Sequence, residues 1–314
     1  RVWYWGMLVV VIPMVGNNII RATGDTFHPG MFMTFSALLN IAVDPFLILG
    51  LGPFPMLSIK GAAIATVIGR GTGMILTLYI LIHREKLLTV HLPQLREVMH
   101  TWRKILYIAG PAAASILITP LSIGIVTRIV SKFGEEAVAA FGVVSRMEMF
   151  SLILVNALGS VMIIFAGQNW GKGYIGRLIR GFNIGVVVAM AWGMLLFGVA
   201  RLWAEPIAGI FSGDAEVVRI TAQYLLIVSF SYGFQGILMV GVNVFNGINK
   251  PMPSAALTAL RMFGLYVPLA WLASVYWNLT GVFWSAFVAN LVVGVLTYLA
   301  LRRYLARKHA EISY

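Results

Sequence analysis

The chain has no cysteine and only 11 acidic residues among 314. The first absence excludes disulfides, iron–sulfur clusters and thiolate chemistry, and by itself says nothing of compartment. Histidine is missing from every long apolar stretch. His28, His83, His91, His100 and His309 all fall between those stretches or in the tail, so no imidazole stands within a span to hold a metal. Alternating segments of about ten residues, which a β-barrel requires, are absent too. An enzyme embedded in the membrane would need His, Asp and Glu gathered near one face, and no such cluster is seen.

What is present is apolar. Hydrophobic residues make up 60% of the chain and mean hydropathy is +0.88, against about 45–50% apolar in an ordinary soluble domain. The class is an all-α integral membrane protein. About nine spans, each near the ~20 residues that cross a bilayer, are predicted over 3–20, 30–51, 61–82, 105–130, 137–165, 182–203, 217–245, 255–275 and 281–301.

The net charge of +12 is read as basic loops rather than a nucleic-acid surface. Fourteen of the 23 basic residues fall in alternate loops, among them Arg84, Lys86, Arg103, Lys172, Arg177, Arg302 and Arg303. The opposite loops carry only Lys60, Lys132, Arg201 and Arg219. The positive-inside bias places loops 21–28, 83–104, 169–181 and 247–253 and the C-terminus in the cytoplasm. A bacterial cell (inner) membrane is the expected location. Within 83–104, Leu92, Leu95, Val98, Met99 and Trp102 recur at helical spacing, which predicts an amphipathic helix on that surface.

Asp44 is the costliest residue in the spans. It lies inside the run 31–49, with Asn40 four residues before it and Pro45 after it. A carboxylate at such depth is expensive unless it faces protein or a water-filled cavity. Spacing of four puts Asn40 and Asp44 on one helix face. Pro45 has no N–H, so the carbonyl of Ile41 loses its helical partner beside them. Charge, amide oxygen and free carbonyl at one depth outline a cation site. Sodium is a hard ion that takes oxygen ligands, and a desolvated carboxylate can carry a proton instead.

The first three spans and the last three share a layout. Arg21-Ala22-Thr23-Gly24-Asp25 with Pro29 corresponds to Phe245-Asn246-Gly247-Ile248-Asn249 with Pro251 and Pro253. Gly61 opens one final span and Gly281 the other, and Leu76-Thr77 and Leu296-Thr297 fall at the same offset of 220. Two like halves imply about three further spans before Arg1 and about twelve in all. The counterparts of Asn40 and Asp44 fall near Phe263 and Val267, both apolar, so the cation site is expected in the first half alone.

The series Asn17-Asn18-Ile19-Ile20-Arg21-Ala22-Thr23-Gly24-Asp25-Thr26 with Pro29, then Leu39-Asn40, Asp44-Pro45 and Gly61-Ala62-Ala63-Ile64-Ala65-Thr66, resembles the multidrug and toxic compound extrusion (MATE) family, prokaryotic branch. Gly110-Pro111 and Gly167-Gln168-Asn169-Trp170-Gly171 add to the likeness. The resemblance implies helices four to twelve of a twelve-helix fold with two six-helix lobes. Residues 1–90 would be helices four to six of the N-terminal lobe, 91–104 a cytoplasmic amphipathic linker, and 105–314 the C-terminal lobe. It implies an antiporter that exports amphiphilic, often cationic small molecules while Na⁺ or H⁺ flows inward, the lobes opening alternately to either side. The cation would be bound by Asp44, Asn40, Asn17 and Thr66, with Na⁺ possible at the first three and a further Asp preceding this chain. A monomer needing no cofactor beyond its coupling ion is expected. The alternative within the superfamily is a lipid-linked oligosaccharide flippase or polysaccharide exporter, which Arg70, Arg146 and Arg261 keep open.

In the second half, Glu148 is the acid set well inside a span. It is read either as an ion pair with a neighbouring Arg such as Arg261, or as a second proton or substrate group. Arg146, Tyr232, Gln235 and Asn156 are further candidates for a substrate cavity. Pro111 and Pro120 can bend the span 105–130.

Overall fold

The structure, a computed structural model, describes residues 6–50, 56–87 and 95–313. Residues 3–5 and 51 of two predicted spans, and residues 91–94 of the predicted linker, lie outside the described ones. The chain divides into two compact units, residues 1–94 and 95–314.

The first unit holds α1 (Met7–Ala22), α2 (Phe27–Leu49) and α3 (Ser58–Tyr79), the last continuing into a wide π turn, Ile80–Arg84. The second holds α4 (Leu95–Val130), α5 (Glu135–Ser151), α6 (Ile153–Gly171), α7 (Ile175–Phe211), α8 (Ala215–Val228), α9 (Tyr232–Gly247), α10 (Pro251–Ala259), a π segment Leu260–Tyr266, and α11 (Val267–Ser313). Among the described residues, seven helical stretches have the length and composition to cross a membrane. The protein is a multi-pass membrane protein.

Local chemistry sets the helix ends. Gly24 at φ 103° turns the chain after α1. The Asp25 carboxylate then accepts from the backbone N–H groups of Phe27 (3.1 Å) and His28 (3.2 Å) at the start of α2, satisfying donors that no helical carbonyl reaches. Its second oxygen lies 2.6 Å from His28 Nδ1 and 3.0 Å from Arg84 Nη1. Asp214 caps α8 in the same way. Gly50 at φ 70° closes α2, as a left-handed C-cap should.

Several predicted spans are built differently from a plain helix. The span 137–165 is two helices broken at Leu152, where Trp192 Nε1 donates to the Ser151 carbonyl at 2.7 Å. The span 217–245 is interrupted by a short 3₁₀ turn, Ser229–Ser231. Spans 255–275 and 281–301 fall on either side of a break at Trp277 and Asn278, the latter at φ 52°. The polar stretch before residue 105 is no separate helix in its described part. It is continuous with the span, α4 running from Leu95 through Pro111 and Pro120 to Val130.

In the first unit α3 presents a small-residue face, Gly61, Ala65, Gly69 and Gly73, all buried. A methyl group on Gly61 would lie 2.2 Å from the Leu47 carbonyl oxygen, and one on Gly69 2.8 Å from that of Ser36. The Ser36 hydroxyl donates to the Gly69 carbonyl across the same seam. On the next face of α3, the Thr77 methyl occupies the space that a side chain on Gly16 of α1 would need, at 2.4 Å. The second unit repeats both contacts. Gly281 stands 2.4 Å from the Ala273 carbonyl oxygen, and Gly241 2.3 Å from the Thr297 methyl, measured from the same added carbon. Gly61/Gly281 and Thr77/Thr297, matched in sequence, therefore hold matching places.

Gly61→Val should cost about 1–3 kcal/mol by overpacking, whereas Gly30→Ala, with nothing within 4 Å of the added carbon, should stay within about 0.5 kcal/mol. Thermal unfolding of the full-length protein in detergent, followed by tryptophan emission, checks the pair.

The Asp25 carboxyl is held below its ordinary range, first by the His28 backbone N–H and then by the His28 ring and Arg84. A depressed folded-state value stabilises above the unfolded value of about 3.9 and is lost as pH falls through the folded one. Asp25→Asn, an uncharged cap, should therefore lower the thermal midpoint at neutral pH. The gap should close in acid below about pH 4.

Candidate functional site

The one acid set inside a span of the first unit, Asp44, makes no ion pair among the described residues. Asp44 is half-buried on α2, and its Oδ1 is enclosed with no hydrogen-bond partner among the described residues. Asn40 Nδ2, one turn earlier, is in the same condition. The Asn40 Cβ lies 3.3 Å from the carbon that a side chain on Gly69 would add, so the small face of α3 is what lets this part of α2 seat closely. Arg70 is exposed and makes no ion pair with Asp44 among the described residues. α2 itself continues through Pro45 to Leu49.

Asn17 on α1 is 7% exposed. Its Oδ1 accepts from the Thr77 hydroxyl at 3.0 Å, a proton that Thr77 shares with the Gly73 carbonyl at 2.8 Å. Asn17 also borders a cavity of about 360 Å³ with Asn18, Arg21, Ser36 and Arg70. No hydrogen bond joins Asn17, Asn40 and Asp44 to one another among the described residues. Thr66 donates to the Ala62 carbonyl of its own helix at 2.9 Å, the local bond that hydroxyls in apolar helices commonly make. The structure thus brings Asn40 and Asp44 together, ties Asn17 to Thr77, and leaves Thr66 on its own backbone. Burial of an unpaired carboxylate oxygen beside an unpaired amide is costly. A cation or a proton relieves it, the amide turning over to offer its oxygen.

The second unit gathers polar groups from several elements. Glu148 on α5 accepts from the Tyr224 hydroxyl of α8 at 2.8 Å. Arg261, in the π segment, donates from Nη1 to Asn290 Oδ1 of α11 at 2.9 Å. Asn290 Nδ2 lies 2.9 Å from Ser231 Oγ and 3.2 Å from Gln235 Oε1. Glu148, Arg261, Asn156, Gln235, Tyr266 and Asn290 border a cavity of about 220 Å³. A second cavity of about 430 Å³ adjoins it, sharing Thr119, Leu152, Gln235 and Arg261, and reaches Asn243 and Asn246.

Of the two readings of Glu148, the ion pair with Arg261 does not form within 4 Å among the described residues, and Glu148 accepts from Tyr224 instead. Tyr232 is buried, its hydroxyl without a hydrogen-bond partner among the described residues, and borders neither cavity. Arg146 is exposed and also borders neither, as its offset of two residues from Glu148 on the helix requires. Asn290, Tyr224 and Ser231 were not singled out from sequence. A lone amide inside the span 281–301 was the signal available for Asn290. Thr77 was matched as a repeat position without being read as a partner of Asn17.

A multi-pass helical bundle with an internal repeat and enclosed polar groups within its spans is the build of a transporter. The MatE family model matches residues 111–272. The chain is 35% identical over 309 residues to a FAD transporter of Shewanella oneidensis, covering 98% of this chain and 67% of that protein. It is 26% identical over 304 residues to a probable multidrug resistance protein, YoeA, of Bacillus subtilis, covering 94% and 65%. Among solved structures, the Vibrio cholerae MATE transporter VcmN in its bent form superposes with a TM-score of 0.86 at 28% identity, over 98% of this chain and 69% of that one. This chain belongs to the MatE family of membrane transporters and is not an enzyme. It spans about two thirds of the length of these relatives and corresponds to part of the MATE fold.

Proposed function

We propose that this protein exports an organic solute in exchange for a cation moving inward, and that the cation engages Asp44 with Asn40. One observation carries this reading: a carboxylate oxygen and an amide nitrogen, one turn apart in a membrane helix, are enclosed and have no hydrogen-bond partner among the described residues. Na⁺ and H⁺ both answer that demand. Asn17, held by Thr77, joins the site if the Thr77 hydroxyl turns wholly to Gly73. In this reading residues 1–90 belong to the N-terminal lobe, 91–104 link the lobes, and 105–314 form the C-terminal one. Loops 21–28, 83–104, 169–181 and 247–253 lie in the cytoplasm.

For the solute, FAD or a similar aromatic anion is the preferred reading. It rests on the 35% identity, across nearly the whole chain, to a protein named for FAD transport. Export of amphiphilic cations is the second reading. It is favoured by the relatives named for multidrug resistance and by the Glu148 carboxylate at the cavity wall.

Full-length protein reconstituted in vesicles, with an imposed Na⁺ or proton gradient, separates these readings when supplied with FAD or with a fluorescent organic cation. Asp44→Asn is expected to abolish gradient-driven flux while leaving solute binding in place. Gradient-driven flux unchanged in that variant overturns the coupling role.

A further inference from the structure

We propose that Arg261 is the docking point for an acidic group, a phosphate or carboxylate, carried by the solute, with Glu148 as the opposing charge that such a group must overcome. The inference rests on the export reading for its choice of flavin ligands, but the site is argued from geometry alone.

Arg261 reaches the small cavity from the π segment, between neutral partners. Nη1 is taken by the Asn290 amide oxygen. Nε is enclosed without an acceptor, and Nη2 makes no hydrogen bond among the described residues. The edge left over, Nε with Nη2, is one of the guanidinium edges that bind a carboxylate or phosphate through two parallel bonds. No carboxylate lies within 4 Å to neutralise it among the described residues. Glu148, by contrast, already has the Tyr224 hydroxyl. The demand left unmet at this wall is therefore for acceptor oxygens. Around it, Asn290 donates to both Ser231 and Gln235, which holds the guanidinium in place before any ligand arrives. The adjoining 430 Å³ cavity, entered past Arg261, Gln235 and Leu152, extends the pocket for the remainder of the solute.

Glu148 borders the same small cavity. An anion entering beside Arg261 meets that carboxylate, and a proton on Glu148 removes the repulsion. Acidic-group binding is thereby linked to proton uptake and strengthens as pH falls. The charged or titratable groups facing Glu148 are Arg261 and Tyr266 of the π segment, Tyr224 of α8 and Tyr232 of α9. From α4, α6 and α11 come Thr119, Asn156 and Asn290, none of which titrates.

The test is equilibrium binding of FAD, FMN and riboflavin to the full-length protein in detergent, across a pH series, for the native sequence and for Arg261→Gln, Arg261→Lys and Glu148→Gln. Riboflavin has the ring system without the phosphate. Arg261→Gln is expected to weaken FAD and FMN about tenfold or more, the scale of a lost charge-assisted pair, with riboflavin little changed. Arg261→Lys should recover part of the loss. Glu148→Gln should tighten FAD and flatten its pH dependence. Equal losses for all three flavins, or none for any, overturn the proposal, and the thermal midpoint of each variant guards against misfolding. If the native protein binds no flavin, the FAD reading fails. A pyrophosphate-induced rise in thermal midpoint that vanishes in Arg261→Gln then still supports the anion site, and its absence overturns that as well.

Discussion

Close backbone approach across glycine is the constraint on which the rest of the molecule depends. Lipid tails are as apolar as leucine, so helices in a bilayer gain little from hiding hydrophobic side chains against one another. They associate through close packing and hydrogen bonds instead. In the first unit this comes down to Gly61 against the Leu47 carbonyl and Gly69 against that of Ser36. The same seam seats α3 against the Asn40 Cβ, one turn before Asp44.

The two halves use one scaffold for opposite chemistry. Gly61 and Gly281, and Thr77 and Thr297, make equivalent contacts. Yet the second helix of the first repeat carries a half-buried acid with no ion pair among the described residues, and its counterpart in the last repeat carries Arg261, which likewise makes no ion pair among them although Glu148 borders the same cavity. In the proposed reading the first half takes up a cation and the second an acidic group.

Sequence patterning made much of this legible. Apolar runs and basic loops marked the membrane segments, because hydropathy alone decides what enters a bilayer. The spacing of Asn40 and Asp44 put them on one face, since helix geometry is fixed. What escaped was set by neighbours distant in sequence. Thr77 captures Asn17 from sixty residues away. Glu148 prefers Tyr224 to Arg261, and Asn290 joins Arg261 to Gln235. Breaks at Leu152 and Trp277–Asn278 likewise lack a proline to announce them. The Leu152 break is met by an indole N–H arriving from α7.

The π segment at Leu260–Tyr266 has a further meaning for the repeat. A wide turn of this kind amounts to one surplus residue in an otherwise regular helix. One residue is about 100° of rotation, so the stretch of helix from that turn to the break at Trp277 is out of phase with α2, which is α-helical from Phe27 to Leu49. Residues paired by counting along these two helices therefore point in different directions beyond the turn. If the two halves descend from one ancestral segment, a single-codon insertion or deletion in either copy was enough to set a new side of the helix toward the interior, without altering any other residue.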